Sequence, residues 1–281
     1  MVQEITSFIG QERVKEMICK WTDRDSFPHF ILIAGEEGSG RKTIATEIAK
    51  ALKSKLAIVE DISVDGVRNL VEVAYQLTTK MLYLIPDADP MSIGAKNALL
   101  KFTEEPPVNA YIVITLKSFN NTLPTILSRA QQIIVEPYTV QELAKLTSNP
   151  KYAVIAKTPG MLQYFEAMGE EKVGDIVSFC RIVVDKIDKV PFANAFKSGV
   201  NLKLREKDEG FELTAFLAGL EYVLDRYMRK GPSLKMLIRL SCWYKLLPKY
   251  QSLLNRGGLN KRAIYDKLIM EAREMLISRG A

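Results

Sequence analysis

The sequence predicts an α/β domain built on a parallel sheet, followed by a region that is helical almost throughout. Two patterns predict it. In residues 1–137 short apolar runs without polar alternation (FILIAG at 30–35, MLYLI at 81–85, AYIVITL at 110–116) alternate with segments of helical periodicity. Strands covered on both faces lose the in–out alternation of a half-exposed sheet, and strands alternating with helices favour parallel pairing. From residue 138 onward the strand runs disappear and apolar residues recur at three- and four-residue spacing.

In chain order, residues 11–22 place Val14, Met17, Ile18 and Trp21 on one helix face. The strand at 30–35 runs into GEEGSGRKT and then IATEIAKALK, with Ile44, Ile48 and Ala51 inward, which reads as strand, glycine loop, helix. A second strand is expected at 56–59, a helix at 65–78 and a buried strand at 81–85. Residues 92–103 form a helix with Ala95, Ala98, Leu99 and Phe102 inward, ended by Pro106 and Pro107. The strand at 110–116, a short helix at 123–129 and a last strand at 132–135 complete the domain. The segments VQELAKL, YAVIAKT and MLQYFEAM then predict a small helical domain over 138–171, and four long amphipathic stretches predict an all-helical domain over 172–281.

Apolar residues make up 47% of the 281, enough to fill ordinary cores. The net charge of +6 is unevenly spread: residues 1–180 hold 19 Lys/Arg against 22 Asp/Glu, and residues 181–281 hold 20 against 11. The basic third points to an acidic partner, nucleic acid or protein, or is an ordinary solvated surface. Cys19, Cys180 and Cys242 are widely spaced and form no metal or disulfide pattern, so reduced thiols and no metal site are expected. The first residues carry no basic-then-apolar leader and no 18-residue uncharged apolar run exists, so a cytoplasmic chain without a membrane span is expected.

The candidate chemistry lies in the glycine loop. Gly35, Gly38 and Gly40 stand where a phosphate-binding loop needs glycines to aim backbone N–H groups at an anion. The next positions call for Lys and then Ser or Thr; here they are Arg41 and Lys42, and Lys42-Thr43 would fit only with one extra loop residue. Arg41 suits phosphate oxygens, but Lys42 has no acceptor for magnesium. A plain glycine turn closing a strand onto a helix is the competing reading. At the end of the 81–85 strand, the place for a metal-anchoring acid is Pro86 and the place for a water-positioning Glu is Asp87, one methylene shorter. Two defects in one site argue against intrinsic hydrolysis.

Five ordered pieces carry a family resemblance: Phe8-Ile9-Gly10-Gln11, Pro28-His29-Phe30, the loop GEEGSGRKT, Asn97-Ala98-Leu99-Leu100-Lys101 with Glu104-Glu105-Pro106-Pro107, and Leu123-Pro124-Thr125-Ile126-Leu127-Ser128-Arg129. Over residues 8–137 the chain resembles bacterial and phage clamp-loader subunits of the AAA+ class, in particular the delta-prime subunit and its relatives. The resemblance implies an AAA+ core, a helical lid and a helical collar. It implies that Arg129 is an arginine finger offered in trans to a neighbour's ATP, neutralising charge on the transferred phosphoryl group; a helix-capping Arg129 is the alternative. It places Thr115 as a first sensor residue, or as a strand-end hydroxyl satisfying backbone. Among the basic residues Arg68, Lys80, Lys96, Lys101 and Lys117, it makes Lys96 and Lys101 candidates for sequence-independent phosphate contacts to DNA, against plain surface lysines. Thr158-Pro159-Gly160 resembles the start of the last lid helix, although Met161 and Leu162 replace the usual arginine, and residues 44–80 lack the cysteines of a zinc insert found in relatives. The implied partners are other clamp-loader subunits, a sliding clamp and primer-template DNA, with ATP and magnesium as candidate ligands. An active ATPase with a variant loop, and a non-enzymatic DNA-binding or scaffolding protein keeping the fold, stay open as alternatives.

Overall fold

In a computed structural model, residues 8–189, 211–254 and 260–279 are described; the stretch 190–210 of the expected third domain lies outside them. The chain divides into two compact units, Met1–Tyr138 and Thr139–Ala281.

The first unit is a five-stranded, wholly parallel sheet. Its strands are β1 (Phe30–Ala34), β2 (Lys55–Ile58), β3 (Met81–Ile85), β4 (Ala110–Leu116) and β5 (Gln131–Ile134), in the order β2-β3-β4-β1-β5. The helices are α1 (Glu12–Asp23), α2 (Arg41–Ala51), α3 (Val64–Tyr75), α4 (Ile93–Ala98), α5 (Leu100–Glu104) and α6 (Pro124–Leu127). Alternate strand residues feed opposite layers. Ile31, Ile33, Leu82, Leu84 and Val113 pack with α1 and α2, through Ile18, Ile44 and Ile48. Phe30, Leu32, Ile85, Ile112 and Ile114 pack with α3 to α5, through Val67, Leu70, Ala95, Leu99 and Phe102. Both faces are therefore dry, which is why β1, β3 and β4 read as unbroken apolar runs.

The helix expected over 92–103 is split. At Leu99 the backbone N–H donates three residues back, to Lys96 O at 3.2 Å, so α4 and α5 are separate short helices. Glu105, which precedes Pro106, leaves the helical region at φ −130, ψ 71.

Gln11 ties the start of this unit to its end. It sits in the left-handed region (φ 57), caps α1, and its side-chain amide donates to Glu136 O (2.8 Å) and accepts from Glu136 N (2.9 Å). The amide thereby acts as a one-residue strand partner.

The second unit is helical throughout its described residues: α7 (Val140–Ala144), α8 (Pro150–Ile155), α9 (Pro159–Met168), α10 (Glu170–Lys186), α11 (Phe211–Arg229), α12 (Leu234–Leu254) and α13 (Lys261–Ser278). α10 packs on α11, α11 on α12 and α12 on α13. Phe216 is the aromatic centre, 5.8 Å from Phe179 and 5.3 Å edge-on from Tyr265. α12 continues through the exposed Pro248, past the point where a proline ordinarily stops a helix. No helix among the described residues is long and apolar enough to cross a membrane.

Candidate functional site

The carboxyl ends of β1, β3 and β4 converge at the glycine loop, the place where open α/β sheets bind ligands. Gly35 N donates to Leu116 O at 3.2 Å, and a Cβ there would lie 2.8 Å from both Ser39 Oγ and Val135 Cβ, so only glycine fits. Gly38 (φ 76) and Gly40 (φ 87) occupy the left-handed region that glycine tolerates. Tyr138 holds the loop from outside, its hydroxyl donating to Ser39 O at 2.9 Å. α2 starts at Arg41 directly after Gly40, and Thr43 faces solvent.

β3 ends in Pro86, then Asp87 at φ 49. That conformation costs on the order of 1 kcal/mol for a residue with a Cβ. Thr115, fully buried at the end of β4, fixes it: its Oγ1 accepts from Asp87 N (2.8 Å) and its carbonyl from Ala88 N (2.9 Å). So placed, Asp87 spends both carboxylate oxygens on cations, Oδ1 on Arg41 Nη2 at 2.8 Å and Oδ2 on Lys42 Nζ at 3.0 Å. Asp89 accepts from Lys117 N at 3.0 Å, while Lys117 Nζ lies 3.5 Å from Glu37. Arg41 is only 5% exposed, and its Nη1 and the Ser39 Oγ are buried without a hydrogen-bond partner among the described residues.

This set does not fit a magnesium–nucleotide. Lys42 stands where a hydroxyl would bind the metal, Pro86 where a carboxylate would, and Asp87 is already paired twice. The unsatisfied Arg41 Nη1 and Ser39 Oγ are, by contrast, groups that an oxyanion would satisfy.

Arg129 lies far along the chain, just after α6. Its Nη1 donates to Thr125 O at 2.9 Å and its Nη2 lies 3.2 Å from Glu104 Oε1; the side chain stays partly exposed. Lys96 is buried, which leaves Lys101 as the solvent-exposed member of that pair. Lys101 Nζ sits 5.1 Å from the centre of the Tyr75 ring, and Tyr75 donates to Glu105 O at 2.7 Å. Arg68 and Lys80 pair with Asp65 (3.4 Å) and Asp25 (3.9 Å). Sequence reasoning missed Ser39 and Tyr138. Ser39 sits inside the motif and could have been flagged by position; Tyr138, 99 residues from its partner, left no local signal.

Residues 53–139 match the family described as DNA polymerase III, delta subunit. A Mycoplasma pneumoniae protein named as an MG007 homolog is 38% identical over 104 residues, 37% of this chain and 38% of that one. The DNA polymerase III subunit tau of Bacillus subtilis is 26% identical over 171 residues, 50% of this chain and 30% of that one. The matches thus span well under half the length of these relatives. Others are named as gamma/tau and delta′ subunits of DNA polymerase III and as subunit 3 of replication factor C. Among solved structures, a gamma subunit-related protein of DNA polymerase III from Thermotoga maritima superposes with a TM-score of 0.52 at 17% identity, covering 92% of this chain and 99% of that one, which shows a shared fold. Over residues 53–139 the chain is thus similar to the delta-subunit family of DNA polymerase III, and its parallel five-stranded sheet and glycine loop stand in a fold shared with a gamma subunit-related protein of that polymerase.

Proposed function

We propose that this chain is a delta-prime-like clamp-loader subunit of a cytoplasmic replication complex, which does not itself hydrolyse ATP. It offers Arg129 to the ATP site of a neighbouring subunit and helps place a sliding clamp on primed DNA. Its partners are the other loader subunits, the clamp and primer-template DNA. The first unit supplies the degenerate AAA+ core; residues 138–171 act as the lid and 172–281 as the collar.

The observation that carries this reading is the closed triad Arg41–Asp87–Lys42, with both carboxylate oxygens within 3.0 Å of a cation. The groups that would handle magnesium and water are replaced or committed, whereas Arg129 is partly exposed on a different segment and held by Glu104 and the Thr125 carbonyl. A partly exposed ion pair of this kind is worth about 0–1 kcal/mol, so a neighbour's triphosphate can displace Glu104.

The test has two arms. ATP with magnesium, titrated into the purified chain to millimolar concentration, is expected to show no saturable binding. In the reconstituted loader, Arg129→Ala is expected to leave assembly intact and cut turnover at the adjacent ATP site by about a thousandfold or more. Unchanged turnover would remove the finger role. The orphaned Arg41 Nη1 and Ser39 Oγ favour a second reading, a variant loop that still takes a nucleotide, and saturable ATP binding would select it.

A further inference from the structure

We propose that Asp87 is a built-in occupant of the glycine loop: its carboxylate fills, from within the chain, the place of an oxyanion between Arg41 and Lys42, and phosphate-class anions enter only by displacing it. This rests on the reading of the loop as closed to magnesium–nucleotide.

Three independent features carry the inference. The carboxylate is bound as a ligand would be, one oxygen to each cation at 2.8 and 3.0 Å, at the first turn of α2. It is also placed in advance: the left-handed backbone at Asp87 (φ 49) is held by the buried Thr115 through two hydrogen bonds, so little ordering is left to do when the pair forms. Finally, the fit is incomplete. Arg41 is only 5% exposed, yet one of its terminal nitrogens has no partner among the described residues, and neither has Ser39 Oγ. A carboxylate has two oxygens and reaches two donors here; a tetrahedral oxyanion with three or four reaches more. The loop is built for a larger anion than the one occupying it.

The loop itself also carries Glu36 and Glu37, and Lys117 Nζ lies 3.5 Å from Glu37. While Asp87 is in place its charge opposes an incoming anion, and neutralising Asp87 removes the repulsion nearest the two cations.

The experiment is calorimetric titration of sodium pyrophosphate, and separately of ATP with magnesium, into the full chain and into Asp87→Asn. The unchanged chain is expected to bind pyrophosphate no tighter than millimolar. The variant is expected to bind it at least tenfold tighter, and Arg41→Gln added to the variant to abolish the gain. Equal affinity in wild type and D87N overturns the proposal. Where D87N is too unstable for calorimetry, Asp87→Ala and thermal melting replace it: a rise in Tm with pyrophosphate supports the proposal, and no rise overturns it. The ATP arm separates the two readings. Tight ATP binding by the unchanged chain defeats the nucleotide-free reading, while the ratio between wild type and D87N still decides the role of Asp87.

Discussion

Thr115 does two tasks with one residue: its hydroxyl takes the N–H of Asp87 and its carbonyl the N–H of Ala88. Replacing it by valine keeps the shape and leaves the Asp87 N–H without its partner. We expect Thr115→Val to lower stability by about 1–3 kcal/mol in urea denaturation. That the glycine loop and the ends of β3 and β4 come together was legible from the pattern of buried strands, because such ends meet in a parallel sheet; Thr115 was placed there by the family resemblance. What the spacing did not reveal is how they pair. Asp87 was legible as a shortened substitute for Glu, but its double engagement depends on Arg41, 46 residues away, entering the protein rather than leaving it. The burial of Lys96 was not legible either: it lies on α4 beside the buried Ala95, where its place at the edge of the apolar face gave no sign of enclosure.

At the level of elements, β1, β3 and β4 were legible to within a residue because each is dry on both faces. The weaker edge strand β2 has mostly exposed residues, and it was expected at 56–59, one residue later than it lies. The passage of α12 through Pro248 was not legible. Proline removes one hydrogen bond, but Trp243, Leu246, Leu247 and Tyr250 bury the same helix face on both sides of it, and packing outweighs the local cost. Glycine supplies two tests of opposite sign. Gly40 lies at φ 87 with only an ordinary 3.6 Å contact to Tyr138 Oη, so Gly40→Ala is expected to cost about 1–2 kcal/mol through backbone strain alone. Gly174 lies in mid-α10 with open space around it, so Gly174→Ala is expected to stabilise by about 0.4–1 kcal/mol. Thermal unfolding of the two variants checks both signs.

At the scale of the whole molecule, a buried ion pair joins two helical segments of the second unit. Arg239 on α12 binds Asp188, just past α10, through two hydrogen bonds of 2.6 and 2.9 Å, and also donates to Val184 O. Arg239→Met would strand a carboxylate whose side chain is 10% exposed, and we expect a loss of about 3–5 kcal/mol. The hydrogen bonds from Arg239 hold the Asp188 carboxyl below its ordinary value of 3.8, against the opposing effect of burial. A depressed carboxyl stabilises fully above that value and loses its contribution as pH falls through the lower folded value. The stability gap between wild type and Asp188→Asn should therefore be widest above pH 3.8 and shrink with acidification, as followed by circular dichroism.

The strand order β2-β3-β4-β1-β5 also has a consequence for how the chain is made. β1 leaves the ribosome before both of its neighbours, β4 and β5, which start 80 and 101 residues after it, and the Gln11 amide waits for Glu136. Until then a strand of five buried apolar residues has nothing to pair with. β2, β3 and β4 can pair as they are made, but the sheet is completed only in a late step once β5 is free, and long-range parallel pairing of this kind is slow and leaves apolar strand surface exposed in the meantime.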